Sequence, residues 1–255
     1  MPRFFVDLPL ARDLETGLPA AAARHVQVLR LQPGDAITLF DGRGADWPAQ
    51  VLRIGRSEVV VRVGEPRPVD RELPVAVTLA VGVPANERMD WLVEKATELG
   101  AAAIQPLACE RSVLRVSGER AERRLAHWQG VAAAAAEQCG RSRLPRLEAM
   151  RPFTAWCRTL DASAAETAPE VRRPPGAGFV LSVAEGAPPF AAAVAAPLRA
   201  GAPLLFLSGP EGGLSVDEEA QARDAGLRPV TLGPRVLRAE TAPLAALAML
   251  SALHG

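Results

Sequence analysis

Apolar positions along the chain change their rhythm at about residue 72. Before it they come in short runs: Arg3–Val6, Ala36–Phe40, Ala49–Ile54 and, with clear alternation, Glu58–Val63. Turn signals at Leu31–Asp35 and Asp41-Gly42 separate these runs, and one helical segment, Pro19–Leu31, interrupts them. Short strands closely punctuated by Gly and Asp predict a small β-barrel. Gly64–Glu72, with EPRPVDRE at its heart, is rich in proline and charge and reads as a linker. It divides the chain into a β-rich unit, 1–72, and a second unit, 73–255.

In the second unit strands alternate with helices. Val75–Val83 reads as strand and Glu87–Leu99 as helix, with Met89, Leu92, Val93, Ala96 and Leu99 along one stripe. Gly100 suits the C-terminal stop of that helix, and Ala103–Leu107 resumes as strand. Glu119–Cys139 is a long alanine-rich helix closed by Gly140, followed by the basic loop Arg141–Pro145. Residues 146–160 give a short strand and a helix, and Asp161–Gly176 reads as a loop or variable insert. Further strands are predicted at Phe179–Val183, Leu204–Ser208 and Arg228–Leu232, and helices at about 188–199, 215–225 and 240–253. This order predicts an α/β fold with a mainly parallel sheet.

Two stretches stand out. Leu204–Gly213, LLFLSGPEGG, is a buried strand running into Gly209, Gly212 and Gly213, and Ser215 with Glu218 then forms the signature of a capping box. Thr231–Thr241, TLGPRVLRAET, repeats the plan with Gly233 as its turn. If the two strands are neighbours, the loops lie side by side at the carboxyl edge of one sheet, where open α/β sheets bind ligands. Glycines there let a ligand press against main chain.

Composition narrows the chemistry. The chain has 255 residues, 29 basic against 29 acidic, with 49% apolar and 23% charged residues. That is ordinary for a globular protein, and neither a membrane-spanning run nor a signal peptide is visible, so a cytoplasmic location is expected. Only three cysteines (Cys109, Cys139, Cys157) and three histidines (His25, His127, His254) occur, in no metal-ligand spacing, so no metal is expected. Between Cys109 and Arg158 ten arginines face five glutamates, a basic stretch open to two readings, a solvated helix face or a place for a polyanion. No nucleophile elbow, P-loop or GxGxxG is present. What remains is a main-chain-lined pocket with Leu181, Leu207, Leu232 and Leu237 as apolar walls, suited to a nucleoside-like cofactor.

The runs RMDWLVEKATELGA, AEQCGRSRLP, LSGPEGGLSVDE and LGPRVLRAETA, in this order, resemble the ribosomal small-subunit methyltransferase E family. The N-terminal runs RFFV, HVQVLRLQPGD and LFDGRG resemble that family's PUA-like RNA-binding domain. The resemblance spans nearly the whole chain. It implies a SPOUT-type knotted, mainly parallel sheet with helices on both faces, preceded by a small PUA-like β-barrel. It also implies S-adenosylmethionine as cofactor, 16S ribosomal RNA of the small ribosomal subunit as partner, and methylation of a uridine at N3 by a homodimer.

By the same resemblance the cofactor is held by Leu181, Leu207, Ser208, Gly209, Pro210, Glu211, Gly212, Gly213, Leu232, Gly233, Arg235, Val236 and Leu237. N3 methylation removes a proton from a weak acid, and a cation stabilising the resulting anion lowers the barrier. Arg238 is the candidate for that role, with Glu240 orienting it or accepting the proton; a helix-start ion pair is the plainer reading of the same two residues. Glu211 is expected to brace the loop through backbone amides. Arg3, Arg24, Arg30, Gln138 and Arg141 are candidate RNA contacts. Two rivals stay open: a non-catalytic RNA-binding or ribosome-assembly protein, and a SPOUT enzyme acting on tRNA.

Overall fold

The structure, a computed structural model, describes residues 1–56, 58–85, 87–113, 118–160 and 177–254. The insert read at Asp161–Gly176 lies outside the described residues. Contacts divide the chain into two units: Met1–Arg71 with Ala133–Leu144, and Glu72–Ala132 with Pro145–Gly255.

The first unit is built on β1 (Arg3–Phe5), β2 (Glu15–Gly17), β3 (Ala36–Phe40), β4 (Ala45–Ile54), β5 (Val59–Val63) and β6 (Arg67–Pro68), with helix α1 (Ala20–Val28). The strands run in the order β1-β3-β4-β5-β2, with β6 on β4; β1 lies parallel to β3 and the other pairs are antiparallel. Alternation explains the sheet: Val59, Val61 and Val63 of β5 are buried while Arg62 faces out, and they meet Phe4, Val26, Ile37, Leu39 and Val51 in one core. β2 and β6 carry no apolar period, and the pattern of hydrophobic positions did not announce them. β6 falls within the stretch read as a linker.

A polar cluster closes this unit. The Arg3 guanidinium pairs with Asp46 at 2.5 Å and donates to Ser142 Oγ at 3.1 Å and to the Arg141 carbonyl at 3.2 Å. The Ser142 hydroxyl donates to the other Asp46 oxygen at 2.5 Å. Nearby, Glu137 accepts the Phe5 N–H at 2.8 Å. Burial holds the Glu137 carboxyl above its ordinary value of 4.5, against the opposing pull of the Phe5 N–H, His25 and Arg3. Residues 137–142 thus belong to this unit by hydrogen bonding as well as by packing.

The second unit holds β7 (Val77–Gly82), α2 (Arg88–Glu98), β8 (Ala103–Ala108), α3 (Glu119–Cys139, whose last turns belong to the first unit), β9 (Arg146–Leu147), β10 (Arg151–Pro152) and α4 (Phe153–Cys157). It continues through β11 (Gly178–Leu181), α5 (Phe190–Arg199), β12 (Leu204–Ser208), α6 (Val216–Asp224), β13 (Arg228–Val230) and α7 (Thr241–His254). The strand order is β10-β8-β7-β12-β11-β13, with β9 on β8, and every pair is parallel.

β12 shows why the apolar run is continuous. Leu204 and Phe206 point into a core shared with α2, α5 and α7; Leu205 and Leu207 point into a second core with α4 and α6. A strand buried on both faces cannot alternate with polar residues. On the first face Phe206 stacks on Phe179 and Phe190, ring centroids 5.7 and 5.4 Å apart. Helices therefore cover both faces, as predicted. Among the described residues no helix is long and apolar enough to cross a membrane.

Candidate active site

The carboxyl ends of β11, β12 and β13 open into a cavity of about 750 Å³. Its walls include Leu181, Ser208–Gly213, Leu232, Gly233 and Arg235–Arg238. Twelve of the thirteen residues predicted for the cofactor are on this wall. The exception is Leu207, fully buried in the second core, which supports the cavity floor without reaching it.

One expectation is corrected. The strands that carry the two glycine loops are not neighbours: β11 lies between β12 and β13 and hydrogen-bonds to both. The chain runs β11, α5, β12, α6, β13, and its last strand returns to the far side of β11. Order along the sequence does not dictate order across a parallel sheet, because each crossover helix can carry the chain past an existing strand. The loops still converge, and the end of β11 supplies Leu181 between them.

Local chemistry shapes each loop. In the first, the Gly213 N–H donates to the Pro210 carbonyl at 2.8 Å, and Gly213 takes φ +70°. A Cβ on Gly209 would lie 2.7 Å from the Leu214 nitrogen, so the turn closes only with glycine there. The capping box predicted for α6 is present: Ser215 Oγ accepts the Glu218 N–H at 3.2 Å and the Glu218 carboxylate accepts the Ser215 N–H at 3.0 Å. In the second loop Thr231 Oγ1 accepts the Gly233 N–H at 3.2 Å, fixing Gly233 at φ +117°. Gly213 and Gly233 both line the cavity with open space where a side chain would start.

Glu211 acts as the brace expected of it. Its Oε1 accepts the Ala85 N–H at 2.8 Å and Arg88 Nη1 at 3.0 Å. Arg88, in the first turn of α2, also brings Nε to 4.0 Å from Glu240 Oε1, so one guanidinium serves carboxylates from both loops. Arg238 is exposed on the cavity wall and forms no ion pair with Glu240 among the described residues. Glu240 is 8% exposed, and its Oε2 is buried with no hydrogen-bond partner; Ser208 Oγ, on the cavity wall, is in the same condition.

Three supporting residues escaped the sequence reading. Arg88 falls within the run RMDWLVEKATELGA without a role of its own there. Arg111 donates to the carbonyls of Gly212 and Leu214, at 3.0 and 3.2 Å, and clamps the first loop from β8's side. Gly82, at the end of β7, has no room for a side chain: a Cβ would meet Pro210 at 2.5 Å and Cys109 Sγ at 3.0 Å. Apolar periodicity carries no signal for any of them; spacing to a partner more than 100 residues away decides each.

The candidate RNA contacts divide. Arg24, Arg30 and Gln138 are exposed. Arg3 is engaged with Asp46 and Ser142, and Arg141 is 3% exposed. Among the described residues no cluster of His, Cys, Asp and Glu is placed to hold a metal ion.

Comparison with known proteins places this geometry. Residues 71–251 match the RNA methyltransferase domain family, and residues 18–64 match the RNA methyltransferase PUA domain. The chain is 36% identical to a ribosomal RNA small subunit methyltransferase E of Synechocystis, over 92% of this chain and 72% of the relative. It is 30% identical to the Bacillus subtilis protein of the same name, over 98% and 96%. Among solved structures, a ribosomal RNA small subunit methyltransferase E from Neisseria gonorrhoeae bound to S-adenosyl methionine superposes with a TM-score of 0.84. It is 33% identical, covering 99% of this chain and 98% of that one.

Proposed function

We propose, from the premise that this chain belongs to the RNA methyltransferase family of ribosomal small-subunit methyltransferase E, that it methylates N3 of a uridine in 16S ribosomal RNA, using S-adenosylmethionine. The observation that carries the reading is the cavity where three parallel strands end, walled by bare glycine main chain and by Leu181, Leu232 and Leu237. Such a wall fits a nucleoside: apolar faces for adenine, main-chain polar groups for its edges and ribose, and no need for a covalent anchor. The buried, unpartnered Ser208 Oγ is a polar atom that a ligand in this cavity satisfies. When bound, the cofactor supplies an activated methyl group.

The protein's own task is to orient the base and manage one proton. Uridine N3–H is a weak acid, and its anion is the nucleophile. Arg238, exposed on the cavity wall and without an ion-pair partner among the described residues, is placed to stabilise that anion. Glu240 presents a buried carboxylate oxygen with no partner, which accepts the N3 proton directly or through water. Its companion cation in the structure is Arg88, not Arg238.

Residues 1–72, joined in packing by 133–144, serve as the RNA-binding domain and the rest of 73–255 as the methyltransferase domain, with the trefoil knot formed by the last three strand-loop units. Arg24, Arg30 and Gln138 are the RNA contacts favoured by their exposure. The protein acts in the cytoplasm as a homodimer, with apolar α7 in the interface; α7 carries apolar residues on all sides, and Leu253 is 48% exposed.

The test is incubation of 16S RNA, and of small subunits, with methyl-labelled S-adenosylmethionine, followed by digestion to nucleosides. Label is expected in 3-methyluridine. Label in a 2′-O-methyl nucleoside, or none from folded protein, rejects the assignment.

A further inference from the structure

Beside the cofactor cavity lies a second, smaller hollow of about 390 Å³, lined by Glu87, Arg88, Trp91 and Glu240. The two share Arg88, so a group seated in one adjoins a group seated in the other. All four residues come from the amino-terminal ends of α2 and α7, elements that pack side by side.

Three features give this hollow a chemical character. Trp91 is 45% exposed although it sits on a helix whose Met89, Leu92 and Val93 are fully buried. Its indole therefore offers a face to solvent that the core does not use. Glu240, which lines the hollow, is almost completely buried, and its Oε2 has no hydrogen-bond partner, an acceptor left unsatisfied beneath the wall. The third feature is Arg88: Glu211 holds Nη1, fixing the guanidinium, and among the described residues no hydrogen bond uses Nη2. A flat face, a fixed donor and an unsatisfied acceptor gathered around one small hollow form the complement of a planar ring that has a carbonyl next to an N–H.

We infer that this hollow is the pocket for the acceptor base, taking an unstacked uracil with its ring on Trp91, a carbonyl on Arg88 and the imide N–H on Glu240. The inference rests on the methyl-transfer reading above and specifies where the base sits. Single-stranded RNA bases are recognised by stacking on aromatic side chains and by hydrogen bonds to their exposed edges. The pattern also discriminates. Cytosine presents a lone pair at N3, which would face the Glu240 carboxylate instead of donating to it. The two acids, Glu87 and Glu240, are of a residue type depleted from protein–protein interfaces.

The test uses full-length protein with Trp91→Phe, Trp91→Leu and Trp91→Ala. Three quantities are read: turnover on 16S RNA, affinity for S-adenosylmethionine by calorimetry, and binding of fluorescent oligouridylate against oligocytidylate by anisotropy. Loss of one stacked base predicts a roughly ten- to hundredfold fall in kcat/KM for Trp91→Ala. Trp91→Leu keeps apolar area without a π face and is expected to behave like Trp91→Ala, whereas Trp91→Phe recovers most of the loss. S-adenosylmethionine affinity stays within about threefold in all three. Wild type is expected to bind oligouridylate more tightly than oligocytidylate, and Glu240→Gln, which adds a donor to the wall, narrows the difference.

Several outcomes overturn the inference: equal activity of Trp91→Leu and wild type, no preference between the two oligomers, or parallel loss of cofactor affinity. A shift of Trp91→Ala from dimer to monomer in sedimentation would assign the indole to an interface instead. Failure of the methylation reading is separately visible, because it removes 3-methyluridine from the wild-type reaction while leaving the oligomer comparison to be scored.

Discussion

Gly82→Ala adds one methyl group to a position where the structure leaves no space for it. The new Cβ would stand 2.5 Å from both the nitrogen and Cδ of Pro210 and 3.0 Å from Cys109 Sγ. Ordinary contact begins near 3.4 Å, so Pro210 must retreat by about 0.9 Å or β7 must shift. β7 is held between β8 and β12, with Val77, Leu79, Ala80 and Val81 buried, whereas Pro210 belongs to a loop facing the cavity. The loop is the softer partner. Overpacking of this kind costs about 1–3 kcal/mol. If the loop absorbs it, cofactor binding must restore the loop at that cost, which weakens S-adenosylmethionine affinity by roughly 5- to 150-fold. If the sheet absorbs it instead, the same energy appears as a melting-temperature loss of roughly 2–12 °C with affinity kept. Calorimetric titration and thermal melting of one preparation separate the cases, and the expected result is a large change in Kd with a melting shift of only a few degrees. A variant matching wild type in both would refute the reasoning, since neither Pro210 nor Cys109 could then have been displaced.

Other expectations are shorter. Arg238→Ala should lower kcat at least tenfold with S-adenosylmethionine affinity nearly unchanged, because its role lies in stabilising an anion absent from the ground state; steady-state kinetics and titration together decide. Ser215→Ala should cost about 1 kcal/mol of stability in denaturant unfolding by removing half of a capping box. Burial, with help from Glu218, pushes the Cys109 thiol up to about 12, so in native protein at pH 8 a thiol reagent should modify Cys139 well before Cys109. Burial raises the Glu137 carboxyl, so its protonated form is favoured by folding, and the stability it contributes is present below about pH 4.5 and lost as pH rises through the folded value. Glu137→Gln should therefore gain stability relative to wild type as pH increases across that interval, measured by denaturant midpoints.

How much of this was legible in the residues follows from the range of the forces involved. Ser215 and Glu218 lie three residues apart and act on each other's amides, so their capping box is visible in a line of text. The leucines of β12 are buried on both faces, and the continuous apolar run says so directly. Glycine loops after strands announce a ligand edge for the same local reason. The placement of β11 between β12 and β13 has no such signature, because strand order is set by where crossover helices pack. Arg88, Gly82 and Arg111 matter through atoms of the chain 100 residues and more away. Arg3 shows the converse: an arginine near a chain start reads as a free surface charge until Asp46 and Ser142 are seen beside it.

The composition of the first unit bears on how the chain is made. That unit draws on Met1–Arg71 and again on Ala133–Leu144, with 61 residues of the other unit threaded between. During synthesis at roughly 5–20 residues per second, the amino-terminal sheet waits on the order of 4–15 seconds for its last segment. Through that interval Arg3 and Asp46 have no Ser142, and the Phe5 amide has no Glu137. The nascent amino-terminal region is thus a half-finished object on the translating ribosome, completed only when the far end of a helix begun in the other unit comes back to it.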